Sequence, residues 1–206
     1  MADWVTYLDA AIAGAVARAT YSFEKFGILF SAGLDSSLIA KICEDLGKNP
    51  TLYSAALEDS LDRKRIEDAR KIFRSEIKFR EISVGEIEER AEKIIEIIKS
   101  AHNLHVSIGI PFFAACEEAR KDGQGIILMG QGADELFAGY NRYLRMEPRE
   151  LERVLVQDFE KLRAIDFQRD LAAARANGLA LRLPYIDEEV VKTALQIPVE
   201  LKIKDG

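Results

Sequence analysis

The chain of 206 residues has only two cysteines, Cys43 and Cys116, no Cys-x-x-Cys pair, and two histidines. That scarcity argues against a zinc ribbon, a redox dithiol or a disulfide framework, and favours reduced thiols in a cytoplasmic protein. No apolar stretch approaches the ~20 residues of a membrane helix. The start, Met1-Ala2-Asp3, lacks the basic-then-apolar order of a secretion signal. Excess positive charge is missing too. A net charge of −6 argues against general nucleic-acid binding, which depends on neutralising phosphates, but it leaves room for a local basic pocket. Repeats, low-complexity runs and long linkers are also absent. What is present, 48% hydrophobic and 31% charged residues, is a soluble globular profile. The expectation is a single domain over 1–206, with a core over about 20–145 and a helical extension over about 146–206.

Residues 26–37 read Phe-Gly-Ile-Leu-Phe-Ser-Ala-Gly-Leu-Asp-Ser-Ser. The apolar run Ile28-Leu29-Phe30 suits a strand buried on both faces. Ser31, Ala32 and Gly33 allow a tight turn and a close approach to a ligand. Ser36 and Ser37 would open a helix whose unpaired N–H groups attract an anion. Asp35 beside an anion site is repulsive unless a metal lies between them. An ordinary strand–turn–helix junction with a serine N-cap could contain the same residues. A Walker loop is excluded because no lysine lies between Ser31 and Ser37, and a Rossmann fingerprint because only Gly33 falls inside the loop.

Helical periodicity predicts a first helix over 3–25, with Trp4, Leu8, Ile12, Ala15 and Ala19 on one stripe. Strands are expected at 28–30, 50–57, 77–82 and 125–129, the third nearer an edge. Helices are expected between them, ending at Gly47 and spanning 59–73, 86–101 and 111–121. The 86–101 helix places Ile87, Ala91, Ile94, Ile95 and Ile98 on one face. After Gly139 only helices are expected, near 149–165, 167–177 and 187–196. Alternating strands and helices imply an α/β fold, a parallel sheet with helices on both faces and a helical C-terminal part. Ligands in such folds bind at the C-terminal edge of the strands.

The fourth strand runs into Met129-Gly130-Gln131-Gly132-Ala133-Asp134-Glu135-Leu136-Phe137-Ala138-Gly139-Tyr140. Acidic residues in a first helical turn oppose the dipole favourably. Alternatively, Asp134 and Asp35 jointly hold Mg2+, which takes one or two carboxylates and completes its shell with phosphates and water.

The 31–37 loop resembles the Ser-Gly-Gly-Leu-Asp-Ser-Ser loop of N-type ATP pyrophosphatases, with Ala32 in place of a glycine. Residues 130–140 resemble the Gly-Glu-Gly-Ala-Asp-Glu-Leu-Phe-Gly-Gly-Tyr motif of the asparagine synthetase family, and paired β-lactam synthetases carry a related domain. Leu181-Arg182-Leu183-Pro184-Tyr185-Ile186-Asp187 is similar to that family's Arg-x-Pro-Phe-Leu-Asp segment. Ala55-Ala56-Leu57-Glu58-Asp59-Ser60-Leu61-Asp62 is similar to its second strand and Ser-x-Asp turn.

The resemblance implies an adenine nucleotide α-hydrolase-like, PP-loop fold and an ATP- and Mg2+-dependent amide ligase. ATP would lie against Leu29, Phe30, Ala55 and Gly130, with its phosphates in Ser31, Gly33, Asp35, Ser36 and Ser37. The metal would sit on Asp35 and Asp134, while Gln131, Asp134 and Glu135 would serve the chemistry, Glu135 orienting substrate or contacting the amine. An aspartate-like acid would be adenylated and then attacked by ammonia or another amine.

Three departures stand out. Gln131 replaces the usual glutamate; the family's glutamine-hydrolysing domain with its cysteine nucleophile does not precede Met1-Ala2-Asp3; and Gly206 falls before the family's pyrophosphate-stabilising lysine. Nitrogen would come from free ammonia, another amine or a separate amidotransferase subunit, and a homo-oligomer is compatible with the sequence. The competing readings are an ATP-binding module without amidation activity, a catalytic half needing a partner, and nucleotide-dependent modification of another substrate such as tRNA. Lys202 and Lys204 are expected to be solvated, His102 and His105 to lie in a loop or at a helix end, Phe112 and Phe113 in the core, and Arg142 or Arg145 in a salt bridge or on an anion.

Overall fold

The computed structural model describes residues 3–203. Strands β1 (Gly27–Leu29), β2 (Thr51–Leu57), β3 (Ile77–Ile82), β4 (Ile126–Leu128) and β5 (Ala180–Arg182) form one parallel sheet in the order β3-β2-β1-β4-β5. Helices α1 (Trp4–Thr20), α2 (Leu34–Asp45) and α3 (Asp62–Ala69) precede α4 (Ile87–Ile98), α5 (Asn103–Lys121) and the short α6 (Ala133–Phe137). They are followed by α7 (Pro148–Lys161), α8 (Phe167–Ala176), α9 (Glu188–Gln196) and α10 (Val199–Lys202). Among the described residues no helix is long and apolar enough to cross a membrane.

The strands sort their side chains strictly by pleat, so each face has its own core. Ile28, Leu52, Ile126 and Leu128 pack with α1, α2, α3 and α9, whereas Leu29, Tyr53, Ile127 and Leu181 pack with α4, α5 and α8. Cys43 and Cys116 are buried thiols in these two separate cores, with no bond between them. A third, smaller cluster gathers Ala138, Tyr143, Leu151 and Leu155.

Several expectations need correction. Strand formation does not stop at Gly139, because β5 pairs in parallel with β4 and extends the sheet. Its three residues carry only one buried side chain, Leu181, so they show no apolar run in sequence. The helix expected at 111–121 begins at Asn103, with Pro111 inside it. The helix expected over 59–73 is α3 alone, because Asp59 turns left-handed at φ 61°. Ile95 of α4 is 37% exposed, and Ile97 packs against the core instead. Between α7 and α8 the chain stays helical through a wide π turn, Leu162–Asp166.

Gly27 lies where β1 meets the Tyr53 ring, and a Cβ there would fall 2.8 Å from Tyr53 Cε2. The Tyr53 hydroxyl donates to Asp122 Oδ2 at 2.7 Å and accepts from Gln124 Nε2 at 3.1 Å, so the ring is held at its far end. Gly27→Ala should therefore destabilise the protein by about 1–3 kcal/mol through overpacking. A urea midpoint unchanged from wild type would show that the ring is not held in this way.

Candidate functional site

The chain runs outward from β1 to β2 and β3 in one direction and from β4 to β5 in the other, so the order reverses between β1 and β4. These two strands are hydrogen-bonded neighbours, pairing Gly27 with Ile127 and Ile28 with Leu128. Ligand crevices form at such reversals, beyond the C-terminal ends of the strands. Here the crevice has a volume of about 420 Å³.

Its walls bring together Leu29, Phe30, Ser31, Gly33, Asp35 and Ser36 from β1 and the turn into α2, and Ala55 from β2. Gly130, Gln131 and Asp134 join them from the loop after β4. Two of the residues expected at the site lie outside the walls. Ser37 donates its backbone N–H to the Gly33 carbonyl at 3.1 Å. Glu135 is buried, and its Oε1 accepts the Tyr140 hydroxyl proton at 2.7 Å.

The turn into α2 is not serine-capped, since Gly33 occupies the N-cap position. Ser36 Oγ instead accepts from Ser31 N at 3.3 Å and donates to the Gly33 carbonyl at 3.3 Å, closing the loop on itself. Ala32 adopts φ 55°, a left-handed conformation that a glycine takes without strain. Gly130 lies against this turn: a Cβ there would sit 3.1 Å from Asp35 Cβ and 3.2 Å from Ser36 N. The segment after β5 joins in, with the Tyr185 hydroxyl donating to the Asp35 carbonyl at 3.3 Å. Asp187 accepts from Glu189 N as the N-cap of α9 and receives a forked pair of bonds from Arg18 of α1.

Asp35 and Asp134 meet the crevice without a cationic partner: among the described residues neither forms an ion pair. Burial and then the like charge of Asp134 push the Asp35 carboxyl up to about 6. Burial raises Asp134 as well. Gly139 makes room for the Asp134 carboxylate; a Cβ at 139 would overlap Oδ1 and lie 3.0 Å from Cγ. Among the described residues no third histidine, cysteine or carboxylate completes a metal cluster. Two uncompensated carboxylates fit Mg2+, provided that phosphates and water supply the remaining ligands.

Sequence reasoning missed the opposite wall. Pro111, Phe112 and Ala115 of α5 line the crevice with Tyr53 and Met129, so Phe112 is not purely a core residue, whereas Phe113 is. Asp62 and Arg65 of α3 also line it. The misplaced start of α5 hid the aromatic wall. The charge pattern of α3, read as a solvated face, hid the other two. His102 is the N-cap of α5, and His105 Nδ1 lies 3.1 Å from Ser100 Oγ. Arg142 donates to Asp158 at 2.7 Å and lies over the Tyr140 ring. Lys202 is half-buried rather than solvated, and burial lowers its pKa. Lys204 lies outside the described residues.

The sheet order and the small-residue loop into α2 are those of the adenine nucleotide α-hydrolase-like, PP-loop class of α/β domains. The asparagine synthase family model matches residues 7–150 and 146–206, and the chain belongs to that family. It is 38% identical over 203 residues to "Putative asparagine synthetase (glutamine-hydrolyzing) 1" of Methanocaldococcus jannaschii, covering 97% of this chain and 37% of that protein. It is 26% identical over 190 residues to "Asparagine synthetase (glutamine-hydrolyzing) 1" of Arabidopsis thaliana, covering 86% of this chain and 32% of that one. The chain thus spans about a third of the length of these relatives. Among solved structures it is similar to a predicted subunit of tRNA methyltransferase from Methanocaldococcus jannaschii, with a TM-score of 0.43 and 21% identity over 82% of this chain and 72% of that one.

The raised Asp35 carboxyl sets a pH dependence. A folded pKa of about 6 exceeds the unfolded value, so the folded state holds the extra proton, and stability falls as pH rises from about 4 through about 6. Asp35→Asn removes that loss. Discounted for partial solvent exposure, the variant should be about 1 kcal/mol more stable than wild type near neutral pH, the gain vanishing below about pH 4. Thermal melts of both proteins across this range check it, and a pH-independent difference would contradict it.

Proposed function

We propose that the chain catalyses an ATP-dependent, AMP- and pyrophosphate-forming amide synthesis on an aspartate-like carboxylate in the cytoplasm. The observation that carries this reading is the meeting of Asp35 and Asp134, from loops of two neighbouring strands, in one crevice that also has apolar walls. Members of the family typically use ATP, and a crevice with both apolar and acidic walls suits a molecule that carries an adenine and a metal-bound polyphosphate.

In this reading Leu29, Phe30, Ala55 and Gly130 hold the adenosine, with Phe112 and Ala115 closing the apolar side. Ser31, Gly33 and Ser36 receive the β- and γ-phosphates, the N–H groups of the first α2 turn adding a favourable dipole. Asp35 and Asp134 would hold Mg2+, which supplies charge neutralisation on the phosphates. The α-phosphorus is then left open to the substrate carboxylate. Its oxygen bonds to phosphorus as the bond to pyrophosphate breaks, and an amine later displaces AMP from the acyl carbon. Most of the rate enhancement would come from positioning and charge stabilisation.

Two features favour a second reading, an ATP-binding module without amidation activity or a catalytic half awaiting a partner subunit. Gln131 cannot serve as a base, and Glu135 is held under Tyr140 rather than in the crevice wall.

Release of AMP and pyrophosphate from magnesium-ATP with aspartate and ammonia separates the two. The ligase reading expects aspartate-dependent release that falls at least ~100-fold in Asp35→Ala. It also expects Gly139→Ala, which dislodges the Asp134 carboxylate, to lose on the order of tenfold or more. ATP binding without release would favour the second reading, and failure to bind ATP would overturn both.

A further inference from the structure

We infer that Arg65 engages the terminal phosphates of the nucleotide, an assignment that rests on the reading of the crevice as an ATP site. Three carboxylates line the crevice, Asp35, Asp62 and Asp134, and among the described residues Arg65 is its one cation. A polyphosphate entering this acidic cleft needs positive charge besides a metal.

The two-faced packing places Arg65 on the same side as the α2 turn. α3 is anchored by Ile66 and Ala69 in the same core as Ile39 and Ala40 of α2, so both helices approach the crevice from one face of the sheet. The apolar wall of Phe112 and Ala115 comes from the opposite face, with α5. Arg65 therefore enters the crevice from the same face of the sheet as the helix that follows Ser31, Gly33, Asp35 and Ser36. α3 begins at Asp62, after the left-handed Asp59, and its fourth residue, Arg65, lines the cleft.

The guanidinium is also available. Its side chain is 68% exposed, and its ion pair among the described residues is a long one, 3.4 Å to Asp62 Oδ1. Asp62 steadies the side chain while leaving most of a five-donor fork for phosphate oxygens. Arg63, two residues away, differs on both counts: it pairs with Glu81 at 2.8 Å and does not line the crevice.

Calorimetric titration of the full chain with magnesium-ATP, magnesium-pyrophosphate and AMP tests the assignment. Arg65→Ala should weaken ATP and pyrophosphate binding about tenfold, as loss of an exposed charge-assisted contact would, and leave AMP within about twofold. Arg65→Lys should recover part of the loss, and Arg63→Ala should change neither ligand. Melting curves matched to wild type establish that the variants are folded. Wild-type ATP affinity in Arg65→Ala, or an equal loss for AMP, would overturn the assignment while leaving the ATP site intact. A wild-type chain that binds no ATP would overturn the functional reading and this assignment with it.

Discussion

The close approach of Gly130 to the first turn of α2 is the constraint on which the crevice depends. β1 and β4 lie side by side, and the chain leaves them toward opposite edges of the sheet, so their two exit loops must pass each other. A side chain at 130 would press on Asp35 and on the backbone of Ser36, so the loops would have to part by a few tenths of an ångström to admit a Cβ. That contact brings carboxylates separated by about a hundred positions in the chain to one cleft. The Tyr185 hydroxyl then ties the segment after β5 to the same turn, and Ile186 packs near Gly132. The three sequence segments thus brace one another.

This bracing holds groups that local energetics disfavour. Ala32 is left-handed at a cost of about 1–2 kcal/mol. Asp35 and Asp134 are partly withdrawn from water and form no ion pair among the described residues, and burial raises both. Neither feature helps the fold. The compensation lies in the sheet beneath, where Ile28, Leu52, Ile127 and Leu128 are wholly buried on its two faces. Natural proteins tolerate such local losses where a site needs them.

How much of this was legible in sequence follows from how local each feature is. The β1–α2 loop could be read because its small residues, its aspartate and the apolar strand before it are contiguous. β3 could be read to the residue, since Ile77 and Ile82 bracket an alternating run. β5 could not be: three residues with one buried side chain carry no pattern, and their strand character comes from pairing with β4. Pro111 misled because proline favours the first turn of a helix, whereas here it lies on the ninth residue of α5. The crevice walls from α3 and α5 depend on how far each helix overhangs the sheet, which no short-range signal records. Arg65 was hidden in this way among the charges of α3.

The position of Gln131 bears on the substrate rather than on the fold. Glu135 is sequestered by Tyr140, so the charge of the cleft rests on Asp35, Asp62, Asp134 and Arg65. A glutamate at 131 would add a fourth negative charge facing an incoming carboxylate. The amide adds none, and it offers N–H donors to a carboxylate and a carbonyl acceptor to an ammonium group. Within the proposed reaction, Gln131 is therefore suited to orienting both partners and unsuited to taking a proton from either. In that reaction a neutral amine would still shed one proton after attacking the acyl carbon, and an ammonium would shed two. In the same reaction Asp35 would be holding the metal and so would be unsuited to accepting a proton. Within the proposed reaction the proton would fall to water or to the departing phosphate oxygens.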